Sequence, residues 1–162
     1  MVNPEEFVAQ LRSLITGNVD ISEEALTAAS HDASLFEVRP LAVVSPKNVG
    51  DLKELIDYVS AHPGMHLTAR AAGTDMSGGP LTDSIVVSFT KYFNHVKQVG
   101  DGFAVAEPEV YYRDFDKATL ASSGQIMPSY PASRELCTVG GMVANNSGGE
   151  KTLTYGKTSR YV

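Results

Sequence analysis

A strand–helix–strand pattern between residues 38 and 70 constrains the fold of this chain more than any other part of its sequence. Residues 38–44 predict a short strand that Ser45-Pro46 ends, and Asn48 is placed to cap a helix. Pro63-Gly64 ends that helix, and residues 66–70 predict a second strand. The predicted buried face of the helix has apolar residues at helical spacing: Val49, Leu52, Leu55, Ile56 and Val59. Ligands of such βαβ units bind at the carboxyl ends of the parallel strands.

The flanking sequence predicts an α+β fold around this unit. Asn3 and Ser22 are placed to cap two N-terminal helices. The first helix has one apolar face, formed by Phe7, Val8, Leu11, Leu14 and Ile15. Further elements are predicted in chain order: a strand at 85–89, a hairpin at 95–99 and 103–107, a helix at 111–123 ended by Gly124, and a short helix near Gly140. We therefore expect a small βαβ-containing N-terminal subdomain, followed by part of a second, mainly antiparallel sheet flanked by helices.

Charge and composition exclude several classes of function. The formal charge of -6 argues against nucleic-acid and anionic-membrane partners, which both favour a basic surface. Cys137 is the single cysteine, and the histidines His31, His62, His66 and His95 show no metal-ligand spacing, so we predict no metal site. No apolar run approaches the roughly 20 residues that cross a bilayer, and the N-terminus is unlike a secretory signal. We expect a cytoplasmic protein and leave peripheral membrane association open.

The first of two glycine clusters occupies residues 71–80, directly after the second predicted strand. The glycines of this cluster, Gly73, Gly78 and Gly79, can adopt positive φ, which lets successive N–H groups point into one concavity that suits a diphosphate. Thr74 and Ser77 add hydroxyl donors, while Asp75 opposes anion binding unless its side chain turns away to cap a neighbouring turn. Taken alone, the cluster could equally be a tight surface turn.

The second glycine cluster covers residues 128–149, with its glycines at Gly140-Gly141 and Gly148-Gly149. Gly140 and Gly141 stand near the start of a short helix, where free N–H groups favour an anion. Thr138 is placed either to cap this helix or to donate to a ligand. Asn145 and Asn146 could contact the edge of a ring or, equally, end the helix. The two clusters together predict an anion cradle built from two loops.

These motifs resemble a known family. Residues 70–79, residues 138–149 and Tyr155-Gly156-Lys157-Thr158 are similar to the FAD-binding domain of the vanillyl-alcohol oxidase and p-cresol methylhydroxylase superfamily, in particular to FAD-linked oxidases of the D-lactate dehydrogenase and glycolate oxidase type. Residues 39–46 resemble the entry strand of that domain. The resemblance implies an N-terminal helical segment at residues 1–30 and an incomplete FAD-binding domain at 31–162. It also implies further strands and a substrate-binding cap domain beyond this sequence, which is expected to be an N-terminal fragment.

The resemblance implies specific cofactor contacts. In the first cluster it points to backbone amides around the FAD pyrophosphate at Ala71, Ala72, Gly73, Thr74 and Asp75, with Ser77 and Gly78 nearby. In the second cluster it points to Thr138, Gly140, Gly141, Asn145 and Gly148, and it brings Tyr130 and Ser133 near the flavin. Some members bind FAD covalently through a histidine of the first loop. This loop contains none, so we predict non-covalent FAD.

The implied function is hydride transfer from a small 2-hydroxy acid or alcohol to the flavin, with no catalytic base assignable in this chain. The small-molecule substrate would bind the full-length protein. The sequence departs from the family at Glu109, where glycine is usual, and at Arg160, where an acidic residue is common. Two alternatives remain open at this point: a non-catalytic nucleotide- or phosphate-binding module that uses the same loops, and a structural domain whose glycines serve only turns.

Overall fold

The computed structural model describes residues 4–162, and the chain divides into two compact units, Met1–Tyr92 and Phe93–Val162. The first unit contains a mainly parallel sheet, and the second contains an antiparallel hairpin with helices. The predicted α+β fold class is confirmed. The division at residue 30 stays a prediction, and the predicted helix cap Asn3 lies outside the described residues.

The first unit is a four-stranded sheet with three helices. In chain order its elements are α1 (Pro4–Leu14), β1 (Asn18–Asp20), α2 (Glu23–Ala29), β2 (Ala42–Ser45), α3 (Val49–Ala61), β3 (Leu67–Arg70) and β4 (Ile85–Ser88). The strand order is β1-β2-β4-β3, so β4 lies between the two strands of the βαβ unit. β4 is parallel to both β2 and β3, and β1 is antiparallel to β2. The carboxyl ends of three strands therefore share one edge, and residues 71–80 leave the sheet there.

Local sequence explains where these helices begin. The Ser22 side chain accepts the Ala25 N–H at 3.3 Å, and the Asn48 side chain accepts the Asp51 N–H at 3.0 Å, so both predicted caps are confirmed. The apolar face of α1 is also confirmed, since four of its residues are buried in the same core as β2, α3 and β4. That core includes Phe7, Val8, Leu11, Ile15, Ala42, Val44, Leu55, Ile85 and Val87.

Two details of the βαβ prediction are wrong. The first strand begins at Ala42 rather than at residue 38, because Pro40 has no N–H and the Val38 N–H donates to Ser30 instead of to a strand. On α3, Val49 is 60 % exposed and Ile56 is 53 % exposed, whereas Asp51 is buried. The Asp51 carboxylate accepts the N–H groups of Thr16, Gly17 and Lys47, and these bonds satisfy a charge that periodicity alone places at the surface.

The second unit combines a hairpin with short helices. In chain order its elements are β5 (Val96–Gly100), β6 (Phe103–Ala106), α4 (Tyr112–Ser123), α5 (Val139–Ala144), α6 (Thr152–Tyr155) and a 3-10 turn at Thr158–Arg160. The hairpin is antiparallel, as predicted, and Gly124 ends α4 with φ 68°. Its core is formed by Val110, Tyr112, Phe115, Tyr130, Cys137 and Met142. Within the described part of the chain, no helix combines the length and the apolar character needed to span a bilayer.

Candidate functional site

The first glycine cluster forms an open loop at the carboxyl edge of the parallel sheet. It begins directly after β3, and Gly73 and Gly78 have φ values of 71° and 84°. These are the left-handed conformations that glycine adopts without a steric penalty, whereas Gly79 of the same cluster does not have a positive φ. The loop therefore has the backbone geometry of a cradle at the position where ligands bind in parallel sheets.

The far half of this loop, residues 75–79, is hydrogen-bonded to two carboxylates of the protein, those of Asp75 and Asp32. One oxygen of Asp75 accepts the Ser77 N–H at 3.0 Å, the Ser77 hydroxyl at 2.8 Å and the Gly79 N–H at 2.8 Å. The Gly78 N–H donates to Asp32 at 3.0 Å. The Gly79 amide and the Ser77 donors lower the pKa of Asp75, so its carboxylate is ionised and caps the turn, as anion binding in this loop requires. The amides of residues 77–79 thus have acceptors within the protein.

The near half of the loop, residues 71–74, is open to a ligand. Among the described residues, no acceptor lies within hydrogen-bond distance of the N–H groups of Gly73 and Thr74, and the Thr74 hydroxyl has no partner either. Residues 71–74 are half-buried and carry no bulky side chain. Two neighbouring amide donors and one hydroxyl donor are therefore available to a ligand that approaches the backbone closely.

Arg70 places a positive charge against this open half. Its guanidinium donates to the carbonyl oxygens of Ala28 at 3.3 Å, Ala29 at 3.4 Å and His31 at 2.7 Å. Ala28 and Ala29 are the last residues of helix α2, and His31 follows the helix. A Cβ atom on Gly73 would lie 2.5 Å from Nη2 of Arg70, so a side chain at this position would require the guanidinium to shift. Partial burial lowers the pKa of Arg70, and Asp32 opposes that effect. This fixed cation favours an anion at the Gly73 and Thr74 amides, and sequence reasoning had not singled it out.

In the second cluster, the amides at the start of α5 have internal acceptors. The Gly140 N–H donates to the Pro108 carbonyl oxygen at 2.6 Å, and the Gly141 N–H donates to the Thr138 hydroxyl oxygen at 3.3 Å. A Cβ atom on Gly140 would lie 2.5 Å from Cβ of Pro108, so close packing explains this glycine. Thr138 is 1 % exposed and acts as the N-cap, the first of the two roles proposed for it.

The end of α5 leaves one side-chain amide available. Asn145 is the C-cap residue, its side chain is exposed, and it has no partner among residues 4–162. Asn146 has φ 45°, and its side-chain oxygen accepts the Ser159 N–H at 2.9 Å, so its role is structural. Asn145 and Gly148 line a cavity of about 380 Å³ together with Pro131, Asn146, Ser147, Gly149, Thr152 and Lys157. Amide, hydroxyl and ammonium groups thus surround this cavity.

Tyr130 and Ser133 hold the segment before α5. Tyr130 is 4 % exposed, its hydroxyl donates to Glu150 at 2.9 Å, and its ring centroid lies 5.4 Å from that of Tyr112. The Ser133 carbonyl oxygen accepts the amides of Leu136 and Cys137. Both residues therefore have structural contacts in this unit, and a flavin contact for either stays a prediction.

Glu109 is a buried carboxyl that the sequence identified only as a departure from the family. It is 2 % exposed, and its Oε2 has no hydrogen-bond partner among the described residues. Burial raises its pKa to about 7, although a hydrogen bond with the Thr138 hydroxyl opposes the shift.

A larger, mainly apolar cavity of about 640 Å³ also lies in this unit, and Gly140 is the predicted site residue that lines it.

The histidines have other partners. His62 stacks on Tyr58, His66 contacts Thr82, His95 bonds Glu107, and His31 lies beside Glu37. Across residues 4–162, no group of three or more histidine, cysteine, aspartate or glutamate side chains is arranged to hold a metal ion.

Comparison with known proteins places these loops in a family. Residues 40–162 match the family model described as "FAD binding domain". Glycolate oxidase subunit GlcD of Bacillus subtilis is 31 % identical over 150 residues, which are 90 % of this chain and 31 % of that protein. D-lactate dehydrogenase of Archaeoglobus fulgidus is 30 % identical over 122 residues, which are 74 % of this chain and 27 % of that protein.

Solved structures of other proteins share this fold. A solved structure of alkyldihydroxyacetonephosphate synthase superposes with a TM-score of 0.81 at 18 % identity, over 99 % of this chain and 32 % of that one. The resemblance seen in the sequence motifs is confirmed, and the chain spans about a third or less of the length of the curated relatives it matches. Since the family model covers most of the chain, from the entry strand to its last residue, the chain belongs to the FAD-binding domain family.

Proposed function

We propose that this chain binds FAD non-covalently, as the cofactor-binding part of an oxidoreductase that oxidises a small 2-hydroxy acid. The observation that carries the proposal is the pair of open amides at Gly73 and Thr74 beside the Arg70 guanidinium. A diphosphate carries the negative charge that this cation favours, and it has enough oxygens to accept from both amides and from the Thr74 hydroxyl.

The loop fits a diphosphate in shape as well as in charge. Gly73 needs its positive φ, and a side chain there would occupy the space beside Arg70. Asp75, the one acidic group of the loop, is held by its own turn. We therefore assign the pyrophosphate to the backbone of Ala71, Ala72, Gly73, Thr74 and Asp75. Ser77 and Gly78 support the loop through the carboxylates that their amides bind.

We assign the remainder of the dinucleotide to the second cluster. The free side-chain amide of Asn145 and the polar cavity that it shares with Gly148 support this assignment. Thr138, Gly140 and Gly141 would act there by shaping the start of α5, since their donors and acceptors are already bonded to one another or to Pro108. Tyr130 and Ser133 would hold the preceding segment.

The substrate class follows from the relatives. Their names specify glycolate and D-lactate, two small 2-hydroxy acids. When bound, FAD would supply the acceptor for the hydride on the carbon that bears the substrate hydroxyl. The residues of this chain bind the diphosphate, offset its charge through Arg70 and keep the loop rigid through Asp32 and Asp75. None of them is assigned as the base that removes the hydroxyl proton.

Flavin binding and bleaching test the proposal. Titration of the purified protein into FAD should quench flavin fluorescence, and acid precipitation should release the flavin into the supernatant because no covalent bond holds it. In the full-length protein that carries the substrate-binding domain, anaerobic addition of glycolate or D-lactate should bleach the bound flavin, whereas acetate or propionate, which lack the hydroxyl, should not. Preference for ADP with no affinity for FAD would contradict the cofactor, and flavin that remains in the precipitate would contradict non-covalent binding.

A further inference from the structure

The polar cavity at the second glycine cluster has donor groups that the proposed function leaves unused. Besides Asn145 and Gly148, to which that proposal assigns the dinucleotide, Ser147, Gly149 and Lys157 line the cavity. None of the residues that line it is acidic, and the lysine is the cation among them. The cavity therefore offers a positively charged surface to an anionic group.

Ser147 has a hydroxyl group that the fold leaves without a partner. The residue is 9 % exposed, and nothing in the described part of the chain is hydrogen-bonded to its hydroxyl; the Thr158 hydroxyl donates to its backbone carbonyl oxygen. The Ser147 hydroxyl is not sealed from solvent, in contrast to that of Thr152, which is buried without a partner. Since buried polar groups are nearly always hydrogen-bonded, a ligand in the cavity would supply the missing partner.

A backbone amide and an ammonium group complete the set of donors. The Gly149 N–H has no acceptor among residues 4–162, and Lys157 has no acidic partner there. A Cβ atom on Gly148 would lie 3.4 Å from Cγ of Lys157, so the stem of the lysine packs on the glycine that separates Ser147 from Gly149 in the chain. The lysine side chain is exposed, so its ammonium group is free to turn toward a ligand.

We propose that the Ser147 hydroxyl, the Gly149 amide and the Lys157 ammonium group bind the carboxylate of the 2-hydroxy acid. The inference rests on the proposed function, which places the negative charge of FAD at the first loop and the uncharged remainder of the dinucleotide along the second cluster. Two carboxylate oxygens and a single negative charge match two neutral donors and one cation. A phosphate dianion fits the set less well, because one exposed ammonium group offsets only part of its charge.

The chemistry of the substrate supports this position. In a 2-hydroxy acid the carboxylate carbon is bonded directly to the carbon that loses the hydride. A substrate that contacts the flavin therefore has its carboxylate close to the flavin as well. Donors for the carboxylate are expected beside the part of the dinucleotide that is assigned to the second cluster, and this cavity supplies them.

Amide NMR of this chain during titration with glycolate tests the site. Ionic strength is held constant with sodium chloride, because salt screens an exposed ammonium group. Glycolate and acetate, which both have the carboxylate, should shift the Gly149 amide resonance with a Kd in the millimolar range. Glycolamide, the neutral amide of the same acid, should shift it far less. Sodium phosphate serves as the competing anion and should bind more weakly than glycolate.

Three variants separate a ligand contact from a structural role. Ser147→Ala removes a hydroxyl that the fold does not use, so urea unfolding should be unchanged while glycolate binding weakens about threefold to tenfold. Lys157→Gln should weaken binding about threefold, since the side chain is exposed. Lys151→Gln is the matched control for charge, because Lys151 does not line the cavity and lies over the Tyr130 ring; it should bind glycolate like the wild type.

The outcomes distinguish this inference from the proposed function. A Gly149 resonance that stays in place up to about 100 mM glycolate overturns the site. Phosphate that binds more tightly than glycolate, or equal effects of Lys157→Gln and Lys151→Gln, overturns the assignment to the carboxylate. Flavin fluorescence of the same protein measures FAD separately: binding of FAD without glycolate overturns this inference alone, and binding of glycolate without FAD overturns the proposed function.

Discussion

Gly73→Ala is the substitution that most sharply tests the first loop, because the chain contains a matched control. Gly73 and Gly64 both have positive φ, 71° and 91°, so alanine is strained at either position. Nothing lies within 4 Å of a Cβ atom on Gly64, whereas a Cβ atom on Gly73 would lie 2.5 Å from Nη2 and 2.9 Å from Cζ of Arg70. The two variants therefore share the backbone cost and differ in the displacement of Arg70.

The expected magnitudes follow from these contacts. An alanine in the left-handed region costs about 1–2 kcal/mol in folding free energy at either position. At Gly73 the guanidinium must also move, which weakens its 2.7 Å bond to the His31 carbonyl oxygen. Hydrogen bonds of charged groups contribute about 1.5–3 kcal/mol, and partial exposure of Arg70 reduces this loss to about 1 kcal/mol. Gly73→Ala should therefore destabilise the protein by about 2–3 kcal/mol, and Gly64→Ala by about 1–2 kcal/mol.

Urea unfolding followed by circular dichroism measures the difference, and FAD titration of the same proteins measures the functional effect. The methyl group at residue 73 stands beside the open amides, so FAD affinity should fall at least about tenfold in that variant and stay unchanged in Gly64→Ala. Equal losses of stability in the two variants would refute the contact with Arg70. Unchanged FAD affinity in a folded Gly73→Ala protein would refute the assignment of the pyrophosphate to this loop.

Three further substitutions test the supports of the fold and of the loop. Asp51→Ala leaves three N–H groups without their acceptor and should cost about 2–3 kcal/mol in urea unfolding. Burial raises the pKa of Asp51, but its hydrogen bonds with Lys47 and Thr16 outweigh that effect and hold the pKa below 3.8. The wild-type protein should therefore lose this stabilisation only as the pH falls below about 3.8. Acid titration of the variant beside the wild type would show the loss. Asp75→Ala releases the amides of the turn and should weaken FAD binding by about tenfold in a fluorescence titration, with little change in stability because the turn is exposed. Gly124→Ala, at the end of α4, should cost about 1 kcal/mol in thermal unfolding and leave FAD affinity unchanged.

The parts of the fold that depend on short stretches of sequence were predictable. Ser22, Asn48 and Gly124 define helix ends through contacts within four residues, so each could be assigned from the residue type and its position. The hairpin around Gly100-Asp101-Gly102 follows from the same kind of local information. The alternation of strand and helix likewise indicated a parallel sheet in the first unit.

Features that depend on distant residues were not predictable. β4 lies between β2 and β3, and the hydrophobic periodicity of the sequence does not indicate which strands pair. On α3, the burial of Asp51 in place of Val49 depends on amides of Thr16 and Gly17, more than 30 residues away in sequence. A single-sequence pattern places an aspartate at the surface because the N–H donors that bind its carboxylate elsewhere in the fold are unknown.

At the candidate site, too, local features were predictable and contacts between distant segments were not. Residue type indicates that Gly73 and Gly78 can adopt positive φ, although Gly79 beside them does not. By contrast, the bond between Gly78 and Asp32 and the packing of Gly140 on Pro108 join segments whose proximity only the fold establishes. The burial of Glu109 belongs to this second group, although its departure from the family was visible in the sequence.

The central claim is that the open amides of Gly73 and Thr74 bind the pyrophosphate of FAD. Amide NMR of the protein during addition of FAD measures this directly, residue by residue. The account predicts large shift changes at Gly73 and Thr74, and smaller ones at Ser77, Gly78 and Gly79, whose amides keep their bonds to Asp75 and Asp32. Saturating FAD that leaves the Gly73 and Thr74 resonances unmoved would contradict it.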